Sequence, residues 1–228
     1  MFDAVLLMAG KGSRTGLQSN KALYPVNGIP LYQYALQAFL ALEECHHVVL
    51  VIHPDEKNLV SLSVNPRIII TTGGQERQDS VASGVEACCE DIVLVHDAAR
   101  PNINIEDIRR VYQATIKHQT ALLAIPVVDT IKLVEDELVQ RTLPRHHLWA
   151  AQTPQGFNRL LYLECMKLAR QEAYVGWDDV EIIEQFAHLS PMIVKGRQDN
   201  IKVTTAFDLV IIEKLLKEGI DYAHWSLL

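Results

Sequence analysis

Apolar residues fall into two patterns that alternate along the chain. Short, near-continuous runs occur at Ala4 to Leu7 ("AVLL"), Val48 to His53 ("VVLVIH"), Arg67 to Thr72 ("RIIITT"), Ile92 to Asp97 ("IVLVHD") and Ala121 to Val127 ("ALLAIPV"). They are rich in β-branched residues, as expected of strands buried on both faces. Between them, "PLYQYALQAFLAL", "DSVASGVEACC" and "IEDIRRVYQATIKH" carry helical patterning, with Tyr32, Leu36, Phe39 and Leu40 on one face. This alternation predicts an α/β fold with a mostly parallel central sheet and helices on both sides.

The pattern changes after Val127. "DTIKLVEDELVQRTL" predicts two short strands around an acidic turn at Glu135 to Glu137, which makes a hairpin arm projecting from the sheet. Helical patterning returns over residues 157–173 and 178–189, and "MIVK" reads as a last short strand. The final helix begins near Thr205, with Thr205 and Asp208 in N-cap and N3 positions. No repeat or linker interrupts the chain, so a single domain over residues 1–228 is expected, with the arm at 128–152.

Composition narrows the function. The chain has 228 residues, 49% apolar and 21% charged, enough for a full core and typical of a globular domain. No stretch is apolar for long enough to span a membrane, and no basic segment precedes an apolar one at the N-terminus. Four cysteines lack C-x-x-C spacing, which points to reduced thiols in the cytoplasm. A net charge of −7 argues against general nucleic-acid binding but allows a phosphorylated small molecule. The histidines show no H-E-x-x-H or other metal spacing. His46-His47 and His146-His147 therefore read as surface or arm residues, and Cys88-Cys89 as helix packing.

The first predicted strand runs into "MAGKGSR" (Met8 to Arg14). Gly10, Gly12 and Gly16 are spaced one residue too widely for a dinucleotide fingerprint, and no Lys-Ser or Lys-Thr pair completes a Walker A loop. Phosphate binding still fits. Glycines let backbone N–H groups approach an anion, and Lys11, Arg14 and Lys21 bring three cations to the strand end that faces the ligand crevice of an open sheet.

Further segments carry a resemblance. "GGQERQDSV" (Gly73 to Val81), "HDAARP" (His96 to Pro101), "DTIK" (Asp129 to Lys132), "QTPQGF" (Gln152 to Phe157) and "DNIKVTTAFDL" (Asp199 to Leu209) occur in order over nearly the whole chain. Together with the opening loop they resemble the 2-C-methyl-D-erythritol 4-phosphate cytidylyltransferases, which make CDP-methylerythritol from CTP in isoprenoid precursor synthesis. A sister group uses ribitol 5-phosphate. The resemblance implies a Rossmann-like three-layer nucleotidyltransferase fold and a homodimer that exchanges arms.

The resemblance also implies site residues. Arg14 and Lys21 would stabilise the α-phosphate under attack. Ala9, Gly10 and Gly12 would wrap the triphosphate, and Gly74 and Ser80 would hold cytosine and ribose. Asp97 and Arg100 would lie beside the nucleotide and the acceptor. Thr130, Arg145 and Lys202 would place the acceptor phosphate, with Arg145 acting in the partner's site. Mg²⁺ or another divalent cation would accompany CTP, with Asp97 as its protein ligand. Simpler roles exist for some of these residues: Asp97 as a loop cap, Arg77 as a helix-start ion pair, Lys202 as an exposed side chain between Ile201 and Val203.

The chain departs from the family pattern at Thr15, at Asn20 and Ala22 around Lys21, and at Trp177, where the family has a threonine near the acceptor. Two readings follow: an active cytidylyltransferase, with methylerythritol phosphate ahead of ribitol phosphate, or a nucleotide-binding protein without turnover. An NAD dehydrogenase ranks behind both because of the glycine spacing.

Overall fold

The computed structural model describes residues 1–9, 20–59 and 65–219. The loop residues Gly10, Lys11, Gly12, Arg14 and Thr15 lie outside the described residues, so their expected roles receive no structural account. In chain order the strands and helices are β1 (Phe2–Leu7), β2 (Pro25–Val26), β3 (Ile29–Pro30), α1 (Leu31–Leu40), β4 (Cys45–Ile52), β5 (Ile68–Thr72), α2 (Arg77–Glu86), β6 (Ile92–Asp97) and α3 (Ile105–His118). They continue with β7 (Thr120–Pro126), β8 (Lys132–Glu135), β9 (Leu138–Thr142), β10 (Trp149–Asn158), α4 (Arg159–Gln171), α5 (Asp179–Ala187), β11 (Met192–Lys195) and α6 (Ala206–Gly219).

The seven-stranded sheet has the order β11-β7-β10-β6-β1-β4-β5. β1 pairs in parallel with both β4 and β6, so the order turns back at β1. Ligands of open α/β sheets bind outside the carboxyl ends of strands at such a switch point. Successive side chains of a strand point to opposite faces. Phe2, Ala4 and Leu6 accordingly join one buried cluster with Leu36, Phe39 and Ile108, while Val5 joins the other with Val81, Phe157, Tyr162 and Ile183. Each face of the sheet is covered by its own helical layer, as the strand composition predicts.

The arm forms as expected. β8 and β9 pair antiparallel, and the turn between them holds Asp136 and Glu137 at positive φ. Thr205 and Asp208 also behave as expected: Asp208 Oδ2 accepts from Thr205 N at 2.7 Å, and Thr205 Oγ1 accepts from Asp208 N at 3.3 Å.

β10 departs from the expectation. Sequence patterning starts a helix at residue 157, whereas the structure keeps the chain extended to Asn158 and inserts β10 antiparallel between β6 and β7. Polar and helix-breaking residues hide it from pattern reading, since "AQTPQGF" lacks apolar alternation and contains Pro154 and Gly156. Its buried amides find tertiary partners instead. Gln152 Nε2 donates to Arg197 O at 2.9 Å, and Gln155 Oε1 accepts from Asp179 N and Val180 N, so burial leaves no orphaned amide there.

Candidate active site

A cavity of about 750 Å³ opens at the carboxyl ends of the central strands, within the size range of small-molecule sites. Met8 and Ala9 line it after β1, His53 and Pro54 after β4, and Gly73 to Arg77 after β5. Asp97 and Ala99 line it after β6, and Lys21, Ser80 and Lys202 complete it.

Local sequence explains how each side chain arrives. Lys21 opens a short 3₁₀ turn over Lys21–Leu23, capped by Asn20, whose Oδ1 accepts from Ala22 N at 3.0 Å. Asn20 is buried, and its Nδ2 donates to Met8 O and Glu56 Oε2. It thereby ties the exit of β1 to the turn that carries Lys21. Lys21 Nζ donates to Thr204 O at 3.1 Å. The departure from the family pattern at Asn20 is therefore filled by a capping residue.

Gly73 and Gly74 are required by close approach. A Cβ on Gly73 would fall 2.6 Å from Ala9 Cβ, and one on Gly74 would fall 2.4 Å from Asp79 Cβ. Gly74 N donates to Ser80 Oγ at 3.2 Å, and that hydroxyl donates to Glu76 O. The segment forms a backbone wall beside the cavity, as a base- and ribose-binding strip needs.

Asp97 ends β6 and is nearly enclosed. Lys202 Nζ lies 2.7 Å from its Oδ2, and Arg77 donates to its Oδ1 at 3.3 Å. Burial alone would raise its pKa, but the Arg77 and Lys202 charges outweigh this and hold the carboxyl well below the usual range. Arg77 also grips buried Asp179 with two bonds of 2.7 and 2.9 Å. There burial prevails, and the Asp179 pKa is raised despite Arg77. Sequence reasoning read Arg77 at most as a helix-start ion pair; its partner Asp179 lies far along the chain, so no local spacing reveals the pair. Lys202 keeps an exposed side chain beside buried Val203, whose N–H donates to Ala99 O at 2.8 Å.

Asp97, the carboxylate expected to accompany magnesium, has both oxygens beside cationic side chains, so a dication placed there would lie against Lys202 and Arg77.

The remaining expected residues lie elsewhere in the single chain. Arg100 is not part of the cavity lining. Its guanidinium donates to Asn200 O at 2.8 Å and Ala151 O at 3.4 Å, joining the β6 exit to neighbouring segments. Thr130 and Arg145 sit exposed on the arm, where Arg145 donates to Val128 O at 2.7 Å. Trp177, 94% exposed, fills no part of the cavity.

Behind Asp97, a hydrogen-bond chain fixes the β6 exit. Asp97 N donates to Thr153 Oγ1 at 3.1 Å, and His96 Nε2 lies 3.0 Å from Arg100 O. A carbonyl only accepts, so Nε2 carries the proton. The neutral ring then accepts at Nδ1 from Thr153 Oγ1, 3.0 Å away. Burial depresses the His96 pKa from 6.5 to about 4. Between these values the unfolded chain binds the proton and the folded chain does not, so stability rises with pH. The full term is present above pH 6.5 and is lost as pH falls toward about 4, a loss of about 3 kcal/mol. Urea unfolding across this window tests it. His96→Asn is expected to flatten the slope, and an unchanged slope would contradict the assignment.

Comparison with known proteins places these features in a family context. The family model described as 2-C-methyl-D-erythritol 4-phosphate cytidylyltransferase matches residues 2–218. A protein of that description from Pelotomaculum thermopropionicum is 40% identical over 223 residues, covering 94% of this chain and 93% of its own length. The crystal structure of the 2-C-methyl-D-erythritol 4-phosphate cytidylyltransferase from Thermus thermophilus is similar at a TM-score of 0.80 and 31% identity, over 95% of this chain and 100% of that one. The structure of 4-diphosphocytidyl-2C-methyl-D-erythritol synthase from Anaerococcus prevotii gives 0.84 at 25% identity, over 95% and 96%. No helix among the described residues is long and apolar enough to cross a membrane.

Proposed function

The chain belongs to the 2-C-methyl-D-erythritol 4-phosphate cytidylyltransferase family, and from that premise we propose that the cavity at the ends of β1, β5 and β6 is where it transfers the cytidylyl group. The enzyme is a nucleotidyltransferase of isoprenoid synthesis that joins CTP to methylerythritol phosphate. An oxygen of the acceptor phosphate bonds to the α-phosphorus of CTP, the bond to the β-phosphate oxygen breaks, and pyrophosphate leaves. The nucleophile is already ionised at neutral pH, so no general base is needed. Positioning and charge carry the catalysis.

Lys21 and Lys202, both in the cavity lining, supply the charge that brings two anions together. Arg14, which follows β1 in sequence and lies outside the described residues, is assigned to the α-phosphate with Lys21. Asp97 orients Lys202 toward the acceptor, and Gly73, Gly74 and Ser80 form the nucleoside wall. A divalent cation belongs to this proposal as a companion of the CTP phosphates, to which Mg²⁺ binds while keeping most of its waters. No step here runs through it.

Thr130 and Arg145 enter from a second copy. The arm exposes Val128, Leu133, Val134, Leu138, Val139 and Trp149, an apolar surface of the kind that a homodimer covers. The four cysteines are unpaired, which supports a reducing, cytoplasmic setting.

The observation that carries the reading is the convergence of Lys21, Lys202, Asp97 and the Gly73–Gly74 strip on one cavity at the β1/β6 switch point. A side-by-side assay of pyrophosphate release with CTP tests the acceptor. Methylerythritol 4-phosphate is expected to support turnover well above ribitol 5-phosphate. Faster release with ribitol 5-phosphate would overturn the acceptor assignment, and intact CTP binding without release from either would leave a nucleotide-binding protein.

A further inference from the structure

At the opposite end of the sheet, three segments distant in sequence bring metal-binding atoms to one point. Asp3 lies at the start of β1, His46 and His47 at the start of β4, and Cys89 in the turn between α2 and β6. One ligand atom from each of the four lies within 4.8 Å of every other. Cys89 Sγ is 3.5 Å from His46 Nδ1 and 3.6 Å from His47 Nδ1. His47 Nδ1 is 3.3 Å from Asp3 Oδ1, and His46 Nδ1 is 4.0 Å from it.

The backbone explains how two consecutive histidines face the same way. Neighbouring side chains of a regular strand point to opposite faces. Here the β1–β4 register slips: Phe2 pairs with Cys45 and Ala4 with Val48, so two residues of β4 oppose Asp3 alone. Such a bulge re-aims side chains, and it brings the two imidazoles to a centroid separation of 3.8 Å.

Glu90 Oε1 lies 2.8 Å from His46 Nδ1, and backbone N–H groups satisfy Asp3. The Asp3 carboxylate is buried and accepts from His47 N, Cys89 N and Glu90 N. Those bonds do not require the thiol and two imidazole nitrogens to converge on the side facing it. A tetrahedral zinc ion does. Metal distances of about 2.3 Å to sulfur and about 2.0–2.1 Å to nitrogen or oxygen set ligand separations of about 3.6 Å for S–N and about 3.4 Å for N–O.

We propose that Asp3, His46, His47 and Cys89 form a structural site for zinc or a related late first-row divalent metal. Of the six pairwise distances among four ligands, the two sulfur–nitrogen distances and the His47–Asp3 distance already match. The His46–Asp3 distance needs to close by about 0.6 Å to reach tetrahedral spacing, and the other two pairs lie within 4.8 Å. Glu90 gives up the His46 nitrogen when the metal binds, as the thiol gives up its proton. Thiolate and imidazole select zinc over magnesium, which prefers an all-oxygen shell. Four protein ligands leave no open position, so the site fastens the three segments together and performs no chemistry. It is remote from the cavity: Asp3 and Leu7 are about 13 Å apart along β1.

Metal titration of the intact chain, stripped with a chelator, tests the proposal. One Co²⁺ per chain is expected, with tetrahedral visible bands and a thiolate-to-cobalt charge-transfer band, and Zn²⁺ should displace it and raise the thermal midpoint. Mg²⁺ should do neither. Cys89→Ser should abolish the charge-transfer band and weaken Zn²⁺ binding by at least about 10- to 100-fold, the cost of losing even an outer-shell partner. His47→Ala should weaken it similarly, and His146→Ala, in the exposed pair on the arm, should not. Cys89→Ser should retain cytidylyl transfer. Absence of stoichiometric binding, or binding indifferent to Cys89→Ser and His47→Ala, would overturn the site.

Discussion

Lys21→Ala is expected to lower kcat/KM by about 100- to 1,000-fold, the loss of about 3 to 4 kcal/mol of transition-state stabilisation. Lys21 is a compact charge on a turn fixed by the Asn20 cap, with its Nζ on the Thr204 carbonyl. Charge builds on the phosphate oxygens as the two anions meet, so the loss should fall mainly on kcat. Stability should change far less, because a hydrogen bond such as that to the Thr204 carbonyl is worth about 1 kcal/mol. Steady-state kinetics with a parallel urea melt separates the two effects. Wild-type kcat in a folded variant would remove Lys21 from the reaction.

Arg77→Ala is expected to damage stability and activity together. It leaves Asp179, 1% exposed as a side chain, as a buried carboxylate without its bidentate partner, which costs about 3 to 5 kcal/mol. It also removes one of the two cations holding Asp97. Burial already pushes the Asp179 pKa up against the pull of Arg77, so losing Arg77 pushes it further. The destabilisation should therefore be full at neutral pH and shrink as acid protonates Asp179. Adding Asp179→Asn to Arg77→Ala should recover much of the loss. Additive losses in the double variant would show that the pair is not coupled.

Much of this arrangement is legible in the sequence because parallel strands buried on both faces have a strong local signature. β1, β4, β5, β6 and β7 fall where apolar runs place them. β10 does not, because Gln152, Thr153 and Gln155 are satisfied by residues remote in sequence, which local patterning does not register. The same reason hides Arg77–Asp179 and the Asp3–His46–His47–Cys89 cluster. Each is assembled by the fold, the cluster with the help of one register slip, rather than by spacing. Lys21 and Lys202 are accessible only through the motifs around them, and the fold brings both to one cavity. Arg145 and Thr130 lie on an arm outside that cavity, so their place depends on a second copy.

Density for a non-hydrolysable CTP analogue in a crystal of the protein is the most direct test of where the reaction occurs. The account predicts the nucleotide in the cavity at the β1/β6 switch point, the base and ribose against Gly73, Gly74 and Ser80, and an α-phosphate oxygen about 3 Å from Lys21 Nζ. A nucleotide bound elsewhere, or bound there with its α-phosphate out of reach of Lys21, would contradict it.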